Sequence, residues 1–180
     1  MSAWIEMIPD EKAEGRLKEL LDKARTPHGT VDTVMRVHSL RPETMNGHVT
    51  LYRSVLHSED NKLPFWYLEV IASYTSILND CTYSLTHHFM NVRNLLKDQP
   101  RSDRIFTALK AHRPEDEFQG KELALLRYAA KLTTAENADG RARRDSRAQD
   151  AASGSAATAS LCAWRHLSKA AAIAGSCNAS

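Results

Sequence analysis

Net charge is almost missing from this 180-residue chain, in which 24 Lys and Arg stand against 22 Asp and Glu and leave +2. Without a basic surplus there is no electrostatic footprint for a nucleic acid, so small neutral ligands or other proteins are the partners to look for. Long apolar runs are missing too. "PFWYLEVIASYTSILND" is interrupted by Glu69 and several hydroxyls, and no stretch reaches the roughly 18 uninterrupted apolar residues of a membrane span. The N-terminus, "MSAWIEMIPDEKAEG", has acids where a secretory leader needs a basic end and then an apolar run. Cysteine is scarce: three, an odd number without framework spacing, which argues against a disulfide scaffold and fits a reducing compartment. No convincing alternation of apolar and polar residues marks a half-buried strand. The expectation is a cytoplasmic, all-α protein with one domain and no membrane partner.

What is present is helical periodicity. Leu17, Leu20, Leu21 and Ala24 share a face between residues 10 and 25, with acids early and bases late to suit the helix dipole. Val31, Val34, Met35 and His38 form a short apolar face, and Met45, Val49, Tyr52, Val55 and Leu56 form another after Pro42. Residues 64 to 79 are apolar nearly all round, the pattern of a central buried helix, with Glu69 in its middle. Asn79 and Asp80 stop that helix and offer caps for the next, expected from about Cys81 to Lys97 with Leu85, Phe89, Val92 and Leu96 inward. Ser102 is placed to cap a helix containing Ile105, Phe106 and Leu109, and Pro114 with its acids opens one reaching about Thr134. Six helices or so make a bundle.

"NDCTYSLTHH", residues 79 to 88, holds the candidate chemistry. Cys81, Ser84 and His88 fall at i, i+3 and i+7 and therefore lie along one helical face. Unpaired N–H groups at a helix start stabilise a thiolate, and an imidazole nearby can take its proton. Glu69, among Leu68, Val70 and Ile71, needs a partner if buried, and a histidine or a water-linked thiol suits it. Carboxylate, imidazole and thiol then form a proton relay. The same residues also read plainly: Cys81 as an inert small hydrophobe, His87 as a structural group pointing away, and Glu69 as the partner of Arg53 or Arg93. Cys81, His87 and His88 make a poor metal site, because adjacent histidines on a helix point about 100° apart. No metal and no cofactor are expected.

"LEVIASYTSILNDCTYSLTHHFMNV" resembles the core of the carboxymuconolactone decarboxylase family, in its alkyl hydroperoxidase D-like, peroxidase-related branch. The family pattern is a Glu, twelve residues on the first Cys of a C-x-x-C, and a His four residues beyond the second; Glu69, Cys81 and His88 stand in register with it, and Ser84 occupies the second cysteine's place. "AWIEMIPDEKAEGRLKELLDKA", "VHSLRPETMNGHVTLYRSVLH" and "GKELALLRYAAKLTTA" extend the likeness over residues 3 to 136. The resemblance implies an all-α bundle of the alkyl hydroperoxidase D-like type, homo-oligomers, and a pocket near a subunit boundary. It also implies reduction of a small-molecule hydroperoxide, with Glu69 and His88 relaying a proton and Ser84 at the position of the attacking thiol. Serine cannot form a sulfenic acid or a disulfide, so the two-cysteine cycle cannot run as written; Cys81 acting alone needs an external thiol reductant. The family's other reaction, cofactor-free decarboxylation of a lactone through acid and base groups, needs no thiol. A non-catalytic oligomer of the same fold is the third reading.

Likeness stops near Glu136. Residues 137–180 are rich in Ala, Ser and Arg and poor in large apolar side chains, so they bury little to offset their ordering entropy and are expected to be loosely ordered, apart from a short helix at 161 to 174. The chain divides into one helical domain, 1–136, and an atypical tail, 137–180. Composition and the abrupt loss of likeness fit a tail read in a shifted frame of GC-rich DNA, with a divergent natural end as the alternative. Transcript sequence across codons 130 to 140 decides between them: an uninterrupted frame that keeps this tail favours the natural end.

Overall fold

The structure is a computed structural model that describes residues 5–26 and 28–148, with side chains through 134. Among these residues it contains seven α-helices and no strand: α1 (Gly15–Lys23), α2 (Thr33–Arg36), α3 (Pro42–Leu56), α4 (Phe65–Leu78), α5 (Thr82–Leu96), α6 (Gln99–Lys110) and α7 (Gly120–Ala148). The all-α expectation holds for them. The single-turn α2 brings the count above six. No helix among the described residues is long and apolar enough to cross a membrane. The helix expected to reach about Thr134 continues in its backbone to Ala148, past the point where the composition changes. The rest of the tail, including the helix expected at 161 to 174, lies outside the described residues.

Helix α4 is the centre. Every residue from Tyr67 to Ile77 is buried, because α5, α6 and α7 all pack on it. Tyr67, Val70, Ile71, Tyr74 and Ile77 meet Phe89 and Val92 of α5, Ile105 and Leu109 of α6, and Leu126 and Ala129 of α7. Each such side chain, fully buried, contributes roughly 1.5–3 kcal/mol. The Ser and Thr hydroxyls on this helix donate within it, Ser73 to the Glu69 carbonyl at 2.7 Å, Thr75 to Ile71 at 3.0 Å and Ser76 to Ala72 at 2.7 Å, while the Tyr67 hydroxyl donates to the Glu122 carbonyl of α7. Small hydroxyl residues can therefore sit in the core with their protons bonded inside the helix. A second cluster joins Leu17, Leu20 and Leu21 of α1 to Val31 and Met45, and a third joins Val55 and Leu56 of α3 to Leu68 of α4.

The corner between α4 and α5 fixes where the motif begins. Asp80 does not cap α5. It takes the left-handed conformation (φ 53°) that ends α4, its N–H donating to the Ile77 carbonyl at 3.0 Å while the Cys81 N–H reaches back to Ser76 at 3.0 Å. That pair of bonds closes the last turn of a helix. Cys81 itself then takes the N-cap position, and its carbonyl accepts from Leu85 N–H at 3.0 Å. Its backbone is held from both sides. Further along, Asp98 caps α6 through its carboxylate, which accepts from Arg101 N–H at 3.0 Å. Ser102, the expected cap, lies one turn inside and donates to the Asp98 carbonyl at 2.8 Å.

A left-handed residue other than glycine costs roughly 1–2 kcal/mol, and the greater chain entropy of glycine offsets part of that gain. Asp80→Gly is therefore expected to raise stability by about 0.5–1 kcal/mol in urea denaturation. Asp80→Val is expected to lower it, since a branched side chain tolerates this conformation worst.

Candidate active site

Glu69 is fully buried in the middle of α4, at 0% exposure. A charge there costs several kcal/mol unless its oxygens are occupied. Both are. Oε2 lies 2.7 Å from His88 Nδ1, and Oε1 accepts from Asn91 Nδ2 at 3.1 Å. His88 and Asn91 are three residues apart on α5, so one helical face brings both donors to the same carboxylate. The sequence alternatives for Glu69 are not taken up: Arg93 pairs with Asp103 at 3.0 Å, and Arg53 is exposed on α3.

A carboxylate only accepts, so the His88 Nδ1 facing it carries a proton, and Nε2 is the nitrogen left for proton exchange. His88 is 18% exposed at its side chain, against 0% for Glu69. The orienting group is thus sealed in the core, while the base it orients reaches toward solvent. This is the division of labour by which a carboxylate aligns a general base.

The thiol end of the motif is built from the same face. Cys81 is half-buried, Ser84 is buried, and Cys81 Sγ donates to Ser84 Oγ at 3.4 Å. Ser84 and His88 are four residues apart on α5, a spacing that sets Cβ atoms about 5–6 Å from each other. Cys81, Ser84, His88 and Asn91 therefore form one row along the helix, with the buried carboxylate of α4 at its far end. His87 lies off this row, its ring 4.4 Å from that of Tyr83 between centroids.

Three residues near the row carry no distinctive sequence signal. Asn91 was legible only as a polar residue one turn beyond His88. Tyr52 reads as part of the apolar face of α3, yet its phenol is close enough to Glu69 and Asp32 to feel both charges. Burial first, and then those two carboxylates, push it up to about 12, so it is a neutral O–H group. Tyr83 is raised chiefly by burial, with the charges of Asp32 and Cys81 adding to it, while backbone hydrogen bonds at Val34 and Thr33 act the other way. The N-terminal segment thus meets α5 beside the thiol. Among the described residues, no three His, Cys, Asp or Glu side chains converge as a metal site requires.

No protein-family model matches the chain, and no curated protein matches it.

Removing the carboxylate leaves two half-buried donors without their acceptor, a loss toward the lower end of about 1–3 kcal/mol. Glu69→Ala is expected to lose that much in denaturant unfolding. Ring nitrogen shifts of His88, read above the ordinary imidazole range, should report the Nδ1–H form in the unaltered protein and a mixture of tautomers in Glu69→Ala.

Proposed function

We propose that this protein is a thiol peroxidase of the alkyl hydroperoxidase D-like type, an antioxidant oxidoreductase that reduces a small organic hydroperoxide through Cys81. The observation that carries this reading is the buried Glu69–His88 hydrogen bond, on the same face of α5 as the bond between Cys81 and Ser84. His88, oriented by Glu69, accepts the thiol proton by way of the Ser84 hydroxyl or a water. The thiolate attacks the outer peroxide oxygen, the O–O bond breaks, and the sulfur loses two electrons to give a sulfenic acid, while the departing alkoxide takes a proton from His88 and leaves as an alcohol. An external thiol then condenses with the sulfenic acid, releasing water and forming a mixed disulfide, which a second thiol cleaves to restore Cys81. Ser84 cannot supply the internal resolving sulfur, so turnover is slow and depends on that outside reductant.

The family resemblance adds a homo-oligomeric state to this reading, and the scarce cysteines and the acidic N-terminus add a cytosolic setting. Because the Glu69–His88 pair contains no sulfur, it also suits a cofactor-independent decarboxylase of the carboxymuconolactone type, in which it moves the proton alone. An oligomer without catalysis is the remaining possibility.

With cumene hydroperoxide and dithiothreitol, Cys81→Ser is expected to abolish turnover and Ser84→Cys to raise it by supplying a resolving pair. His88→Ala is expected to slow the reaction roughly 100-fold or more, in line with the loss of a positioned base. A sulfenate-specific probe should label Cys81 after mild peroxide; an unlabelled Cys81 sinks the one-cysteine mechanism. Lactone decarboxylation that survives Cys81→Ser but not His88→Ala establishes the alternative enzyme, and inactivity even in Ser84→Cys leaves the non-catalytic one.

A further inference from the structure

Two buried histidines lie outside the candidate site. His38, just after α2, and His48, on the inner face of α3, are 9% and 6% exposed. His38 Nε2 stands 3.1 Å from His48 Nδ1, and His38 Nδ1 stands 2.8 Å from Thr44 Oγ1. Thr44 donates its own proton to the Arg41 carbonyl at 2.7 Å, so its oxygen accepts from His38 Nδ1–H. His38 Nε2 is then the acceptor, and His48 Nδ1–H is its donor. Both rings are neutral in this arrangement, and they meet edge to face with centroids 5.2 Å apart.

Among the described residues, no carboxylate bonds to either ring. On the approach to His38, Arg36 is bonded to Asp10 at 3.2 Å, and Arg25 stands 3.6 Å from the same carboxylate. On α3, Glu43 is held by Arg16 of α1 at 2.7 Å. Burial, followed by repulsion from His38, holds His48 down at about 4, and burial alone lowers His38. A first proton is thus a buried cation with no carboxylate acting on it. A second turns both facing nitrogens into donors and ends the bond.

The same segment is tied at its other points. Ser39 Oγ accepts from Ile8 N–H at 2.9 Å, and the backbone at Thr33 and Val34 meets the Tyr83 hydroxyl. We propose that the His38–His48 hydrogen bond is an acid-released latch, which straps residues 32–41 onto α3 and through Tyr83 covers the start of α5 beside Cys81. Each imidazole binds fewer protons in the closed form than in an open one, where its pKa is about 6.5. Closure is therefore complete above that value and is lost as pH falls toward 4. At pH 5, opening gains roughly 30-fold from His48, held at about 4 when closed, and His38, lowered by burial, adds in the same direction.

Hydrogen exchange on the full chain at pH 7.5 and 5, corrected for intrinsic rates, reads this opening. Amides of residues 33–41 are expected to lose about 30-fold or more in protection and to exchange at pH 5 far faster than those of α4. His48→Asn keeps a side-chain N–H toward His38 but cannot be protonated, and should cut the loss by about 30-fold. Equal protection of the strap and α4 at pH 5 means that the whole fold opens, and overturns the latch. So does a loss that His48→Asn leaves unchanged. In the unaltered protein, ring nitrogen shifts should show both histidines as neutral Nδ1–H forms at pH 6; a charged ring there is a contrary result. For the cover, the rate of Cys81 with dithiodipyridine, taken as unaltered protein over His48→Asn, should rise several-fold from pH 7.5 to 5, and a flat ratio removes it. None of these readouts needs peroxide turnover, so the latch and the peroxidase reading fail independently.

Discussion

A carboxylate buried at the centre of α4 constrains everything placed around it. Glu69 has no exposure, so α5 must present donors at its level. His88 and Asn91 do so from consecutive turns, which fixes both the rotation of α5 about its axis and its position along α4. Apolar contacts such as Val92 and Phe89 against α4 hold the helices together but tolerate small slips. A two-donor carboxylate does not, because a slip of one residue leaves a charge and two polar groups unsatisfied in the core. The register of Ser84 and Cys81, four and seven residues before the histidine, follows from that one match.

The tight corner at the other end completes the alignment. Ser76 belongs to the last turn of α4 and bonds to the backbone of Cys81, while Leu85 bonds to the carbonyl of Cys81. With one end of the row pinned by the turn and the other by Glu69, the intervening residues have little room to rotate. Rigidity of this kind suits a reaction in which proton acceptor and nucleophile must keep a fixed relation. It serves a purely structural helix pair equally well, which is why chemical tests on Cys81 and His88 decide between the readings.

Around this rigid pair the N-terminal half is assembled from smaller clusters. The α1 and α3 contacts bury few large side chains, and several of the ties are exposed ion pairs such as Arg16 with Glu43, each contributing little. Tyr52 and Tyr83 are the points where that half approaches the motif. A stable helix pair and a more weakly held cover are the combination in which local opening can occur without loss of the core.

The helical class and most inward faces were legible from periodicity alone: Leu17, Leu20 and Leu21, Val55 and Leu56, and the all-round burial of residues 67 to 77. So was the alignment of Cys81, Ser84 and His88, since spacing along one helix is a local property. The partner of Glu69 was not determined locally, because histidine, thiol and arginine were all reachable until α5 was laid on α4. Asp80 reads as a cap and acts as a left-handed stop, the choice being made by bonds from both Asp80 and Cys81 back into α4. Asp98 and Ser102 were interchangeable by composition, and only the burial of Ser102 against the core separates them. The pairing of His38 with His48 depends on a turn that folds two segments ten residues apart onto each other. Periodicity sees one helix at a time, whereas a buried polar group is satisfied by whichever element the fold brings to it.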